Sequence, residues 1–151
     1  MFNNNKNLFG LVLSLLIIVG CGSTVEYSTA KVAIQDKDWE KAEEYLFKAL
    51  ELEPDNAAVM VDIGYYVYAK KREWTKMNEI FDRALSSNPA AKAQNGRPIN
   101  EVTKNYRNMF WTESYNNAVR RYNDFKESND KVILDEAITL FNESIEIDPQ
   151  S

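Results

Sequence analysis

The chain has 151 residues, with 18 Lys+Arg against 23 Asp+Glu, a formal charge of −5, no His and a single Cys. The acidic balance makes it a poor partner for nucleic acid, which is held mainly by Lys and Arg on phosphates. The missing imidazole and second thiol exclude Cys/His zinc sites, an internal disulfide and Ser–His or Cys–His nucleophiles, leaving only a carboxylate or Ser–Lys site open to catalysis.

Lys6 is the only charge before Cys21. An apolar run from Leu8 to Val19, broken by Gly10 and Ser14, leads into Gly20 and Cys21. A short basic start, an apolar stretch and a small residue before the cut describe a secretory signal peptide. The run is shorter than the ~20 apolar residues of a spanning helix. It stops at small and polar residues, Gly20, Gly22, Ser23 and Thr24. The alternative is an uncleaved helix that anchors the chain. The expected division is a signal peptide over 1–20 and a mature domain over 21–151. Loss of Lys6 alone takes the formal charge from −5 to −6. The mature part holds Gly22, Gly64 and Gly96, too dispersed to cradle a phosphate.

Ile18-Val19-Gly20-Cys21 resembles the lipobox of bacterial lipoproteins: aliphatic, small or aliphatic, small, then Cys. The resemblance implies a diacylglycerol on the sulfur of Cys21, cleavage before it and acylation of the new amino group. It also gives a reason for a lone Cys in an exported chain. Gly22, in place of Asp, resembles the outer-membrane sorting class. One acyl chain binds a membrane only marginally, at about 0.8 kcal/mol per buried methylene, whereas two or three would hold it.

The mature domain contains a recurrence. Trp39, Ala42, Leu46, Ala49, Leu50 and Pro54 return thirty-five positions later as Trp74, Met77, Phe81, Ala84, Leu85 and Pro89. They return again as Leu134, Ala137, Phe141, Ser144, Ile145 and Pro149. The first five positions fall on one face of a helix, and the proline ends it. A second helical segment, about Asn56 to Lys70, precedes the second set, with Pro54-Asp55-Asn56 as turn and cap. Each unit therefore reads as two short helices, which need neighbours to bury their apolar faces.

These units resemble the tetratricopeptide repeat, whose period is 34 residues. Met60, Ile63, Gly64 and Val67 stand at the family's Trp-x2-Leu-Gly-x2-Tyr positions, and Met77, Phe81, Ala84 and Pro89 at its Ala, Phe, Ala and Pro positions. About one extra residue lies near Arg72. Ala42, Leu46, Ala49 and Pro54 match in the first unit, with Ala30 and Ala33 at the usual Gly and Tyr positions. Ala137, Phe141 and Pro149 match in the third, with Ala118 small as required and Asn117 and Arg121 departing. Gly64 reads either as a close helix approach or as a tolerated surface glycine.

Pro89 and Pro149 are 60 apart, so about twenty-five residues are inserted. Ala90 to Pro98 reads as a loop. Asn100 would then cap one long helix to about Lys126, or two helices broken near Trp111-Thr112. Ser128-Asn129-Asp130 ends it, and a last helix runs from about Leu134 to Ile147. That helix carries Asp135, Glu136, Asn142, Glu143 and Glu146 on its outer side. Either it caps the stack itself, or the natural gene continues beyond Ser151. The expected fold is an all-α solenoid of tetratricopeptide-type hairpins, with repeats at about 23–56, 57–89 and 111–151 and an insertion at about 90–110.

In the family the leading helices line a groove for an extended peptide or partner helix. By register Tyr27, Lys31, Tyr65, Tyr68, Tyr115 and Tyr122 are the groove candidates, since tyrosine joins contact area to a polar tip. The alternative is that these tyrosines pack between helices. Lys70-Lys71-Arg72 reads as cations offsetting a helix C-terminus, Arg120-Arg121 as a solvated face, and Asp38 as an N-cap rather than half of an Asp36/Asp38 catalytic pair. The resemblance implies a lipid-anchored adaptor for a protein partner in the cell envelope, at the outer membrane facing the periplasm. No nucleic acid, small-molecule substrate, metal or cofactor beyond the lipid is expected. The competing readings are an accessory domain of an envelope enzyme and a spacer without a groove ligand.

Overall fold

The computed structural model describes residues 23–93 and 95–149. The expected signal peptide and Cys21 lie outside them. Four helices start where the sequence supplies a side chain to take their first free amides. The Thr24 hydroxyl accepts from the Tyr27 amide (3.2 Å) at the head of α1 (Val25–Gln35). Asp38 accepts from Lys41 (3.2 Å) at α2 (Trp39–Leu52). Asn56 accepts from Ala58 and Val59 (3.0 and 3.3 Å) at α3 (Ala57–Ile63). The remaining helices are α4 (Trp74–Ser87), α5 (Ile99–Ser128) and α6 (Lys131–Ile147). Asp130 caps α6 by accepting from Val132 (2.9 Å). With this cap, α6 begins about one turn before the expected Leu134. The long helix is unbroken across Trp111-Thr112, and Pro98, with no side-chain cap bond, occupies the N-cap position expected for Asn100.

The helices pair as α1 with α2, α3 with α4, and α5 with α6; α2 also packs on α3, and α4 on α5 and α6. No strand occurs among the described residues, so this part of the fold is all-α. The three hairpin turns share one device. Lys37, Arg72 and Asn129 each adopt the left-handed conformation (φ 59°, 57° and 56°), and each is followed by the N-cap residue of the next helix. In the first two turns the amides of Asp38 and Glu73 reach back five residues to the carbonyls of Ala33 and Tyr68, both at 2.9 Å. That closure is the hydrogen bond of a Schellman ending.

The extra residue between the first two hairpins has a structural location. Buried Tyr27, Ala30 and Ala33 of α1 find buried counterparts 34 positions on at Val61, Gly64 and Val67. Buried Ala42, Leu46 and Ala49 of α2 find theirs 35 positions on at Met77, Phe81 and Ala84. Between these registers, α3 passes without a break into a π-helical turn, Gly64–Tyr68, in which the Ala69 amide bonds the Gly64 carbonyl at 2.9 Å. A π turn holds one more residue than an α turn.

Of the two readings of Gly64, the structure shows the close approach. A Cβ there would lie 2.2 Å from Cε1 of the fully buried Phe81 ring. Leu46, Met60, Ile63, Met77, Phe81, Ile99 and Ile147 form the centre of the core.

One expectation about the last helix is corrected. Leu50 and Leu85 pack on the core, but Ile145, the third member of that set, is 61% exposed because no described helix covers α6 on that side. On its acidic side Asp135, Glu136, Asn142 and Glu146 are exposed as expected, and Glu143 is half-buried. Glu143 pairs with Arg72, Glu136 with Arg121 (3.1 Å), and the Asn78 amide donates to the carbonyls of Glu146 and Ile147 (2.8 and 3.2 Å).

Candidate functional site

The six groove candidates separate into three environments. Tyr27 is buried, and its hydroxyl donates to the Asp62 carboxylate at 2.8 Å. It therefore belongs to the interior rather than to a groove. Lys31 is half-buried, with its ammonium 4.8 Å from the centre of the Tyr27 ring. Tyr65 is packed between helices, stacked on Tyr106 (4.3 Å) and edge-on to Tyr66 (4.8 Å). Tyr68 lies edge-on to Phe47 at 6.2 Å. Only Tyr115 and Tyr122 are exposed, at 40% and 44%. Tyr65 and Tyr68 are both half-buried, with ring contacts to α5 and α2 respectively.

Tyr115 and Tyr122 lie seven apart on one face of α5. Tyr115 stacks on Trp111 (4.9 Å) and meets Phe141 of α6 edge to face (5.7 Å). Ile138 and Ile145, 48% and 61% exposed, flank Phe141 on α6. The last hairpin thus presents a strip of aromatic and aliphatic side chains drawn from both of its helices.

A second feature lies at Asp62, the only charge between Asp55 and Lys70. The carboxylate is buried in α3, and among the described residues the Tyr27 hydroxyl is its one hydrogen-bond donor. It borders a cavity of about 210 Å³ walled by Val61, Tyr66 and Tyr106 and, from the inserted loop, Ala93 and exposed Asn95. Burial pushes the Asp62 carboxyl up to about 6, against the downward pull of the Tyr27 hydrogen bond and the Lys31 charge. Burial first, then the Asp62 charge, pushes the Tyr27 hydroxyl up, so it stays a neutral donor. Burial raises Tyr66 likewise, and takes Tyr106 to about 12. The loop wall is ordered by its own backbone: Ala93 donates to the Arg97 carbonyl (2.9 Å), Gly96 to that of Ala93 (2.8 Å) and Ile99 to that of Ala91 (2.8 Å). The sequence signal for Asp62 was a lone carboxylate in an apolar helix.

The basic cluster has a use beyond the helix end. Lys70 covers the Trp39 ring at 3.8 Å, Lys71 pairs with Glu43 (2.5 Å), and Arg72 pairs with Glu143, so the cluster ties α3 to α2 and α6. Asp38 is the cap it was expected to be. No helix among the described residues is long and apolar enough to cross a membrane. A scan against known protein families finds no matching family model, and no curated protein matches this chain.

Proposed function

We propose that this chain is a lipid-anchored adaptor of the bacterial cell envelope, whose tetratricopeptide-type hairpins offer a surface to a protein partner. The observation that carries the reading is the exposed strip of Tyr115, Tyr122, Ile138 and Ile145 around Trp111 and Phe141. Contiguous exposed apolar surface marks interaction sites more often than scattered single residues do, and aromatic side chains anchor interfaces well. Three helix pairs with a recurring left-handed turn support a repeat architecture. The solenoid reading adds the triple recurrence of the sequence. The anchor rests on Cys21 and the lipobox-like residues before it, and Gly22 after it favours the outer membrane facing the periplasm. The protein works by binding, without catalysis and with no cofactor beyond the lipid.

Two measurements test this reading. Radiolabelled fatty acid supplied to cells should enter the protein and be absent from Cys21→Ala. A photo-crosslinker placed at position 115 should join the acylated protein to one defined protein. Labelling that persists in Cys21→Ala removes the anchor. Crosslinks spread over many abundant proteins, unchanged by Ile138→Asp, remove the adaptor.

A further inference from the structure

The cavity beside Asp62 combines two features. First, among the described residues the buried carboxylate has a single hydrogen-bond donor, the Tyr27 hydroxyl on Oδ2. Second, Tyr66 and Tyr106 wall the space that Asp62 borders, and exposed Asn95 stands at its edge. A buried charge is normally paired because leaving it unpaired is costly. The chain's own cations do not close on it. Lys31 lies over the Tyr27 ring, and Arg97 pairs with Glu101.

We propose that this cavity is a binding site for a primary alkylammonium group, the chemistry shared by a lysine side chain and a free alkylamine. Asp62 Oδ1 would take the charge, and the Tyr66 and Tyr106 rings and hydroxyl oxygens would surround it. An ammonium fits better than the other common cations. A guanidinium binds a carboxylate through two parallel bonds, and here one oxygen is already committed to Tyr27. A metal ion needs several hard ligands, and no group of three His, Cys, Asp or Glu residues suited to one occurs among the described residues. A compact point charge with three donors needs one carboxylate oxygen, and aromatic faces within about 6 Å add attraction. The groups facing the site are Tyr27 and Lys31 from α1, Tyr66 from the π turn, Arg97 from the loop and Tyr106 from α5.

The lysine source rests on the adaptor reading, while the free-amine source does not. The test is a titration of the full chain with n-butylammonium, with Nα-acetyl-lysine methylamide and with neutral n-butanol, followed by the ring resonances of Tyr66 and Tyr106. At pH 7.5 saturable binding of an amine but not of butanol is expected. Binding should weaken at least tenfold in Asp62→Asn and on acidification to pH 5, and tighten several-fold in Lys31→Gln, where the competing charge is gone. Tighter binding of the lysine analogue assigns the site to a partner's side chain; binding of butylammonium alone assigns it to a free amine and leaves the adaptor surface to stand or fall separately. The proposal is overturned by the absence of saturable shifts with either amine, by equal binding of butanol, or by full affinity in Asp62→Asn.

Discussion

Replacing Asp62 by Asn should make the protein more stable at neutral pH and remove a pH dependence that the wild type carries. The amide keeps an acceptor for the Tyr27 hydroxyl, which lies 2.8 Å from Oδ2 in the wild type, and cannot ionise. In the folded protein Asp62 holds its proton to about pH 6, against 3.8 ordinarily, mainly because it is buried. Between those values the folded state binds more protons than the unfolded one, so stability falls as pH rises. Carrying a carboxyl from 3.8 to about 6 corresponds to about 3 kcal/mol lost between pH 3.5 and pH 7.5. Urea unfolding of both proteins at pH 4, 5, 6 and 7.5 reads this directly. The difference between Asp62→Asn and wild type should grow in favour of the variant by about 2–3 kcal/mol across that range, with m unchanged. A difference that is constant with pH, or that moves against the variant as pH rises, would refute the reasoning.

Three further perturbations follow from the packing. Gly64→Ala should destabilise by about 2 kcal/mol in urea unfolding, because its Cβ meets the buried Phe81 ring and the clash outweighs the better helix propensity; a gain in stability would contradict the close approach. Lys37→Gly should stabilise by up to about 1 kcal/mol, since Lys37 is exposed at φ 59° and glycine suits that turn. A loss there would mean the left-handed turn is misplaced. Phe81→Ala should cost about 3–5 kcal/mol, as expected for a fully buried aromatic at the centre of a core, and thermal melts would show it as a large drop in Tm.

The parts of the fold legible in the sequence were those governed by short-range rules. Asp38, Asn56 and Asp130 are residues that cap, and each caps. Asn129 is a residue that tolerates the left-handed turn, and it makes one. Lys37 and Arg72 carry no such signature, so their turns could be placed only from the caps that follow. The π turn was visible as a one-residue mismatch in period, but the spacing put the extra residue near Arg72, whereas the turn lies at Gly64–Tyr68. Tyr27 lies in the interior because its hydroxyl donates to Asp62, thirty-five positions away, and a lone sequence does not show such a pairing. Tyr115 and Tyr122, named as groove candidates by register, are exposed on α5, where their seven-residue spacing sets them on one side of a long, unbroken helix.

The central claim is that a lipid-tethered helical domain meets a protein partner through the strip on its last hairpin. The most direct test is co-purification from crosslinked envelopes. The acylated full-length protein serves as bait, with Cys21→Ala and the double variant Ile138→Asp/Ile145→Asp as comparisons. The account predicts one dominant partner, recovered with the wild type, reduced when the protein is no longer held at the membrane, and lost from the double variant while its helical content is unchanged. Recovery of the same partner in equal amount with the double variant, or of no specific partner from envelopes that retain the acylated protein, would contradict it.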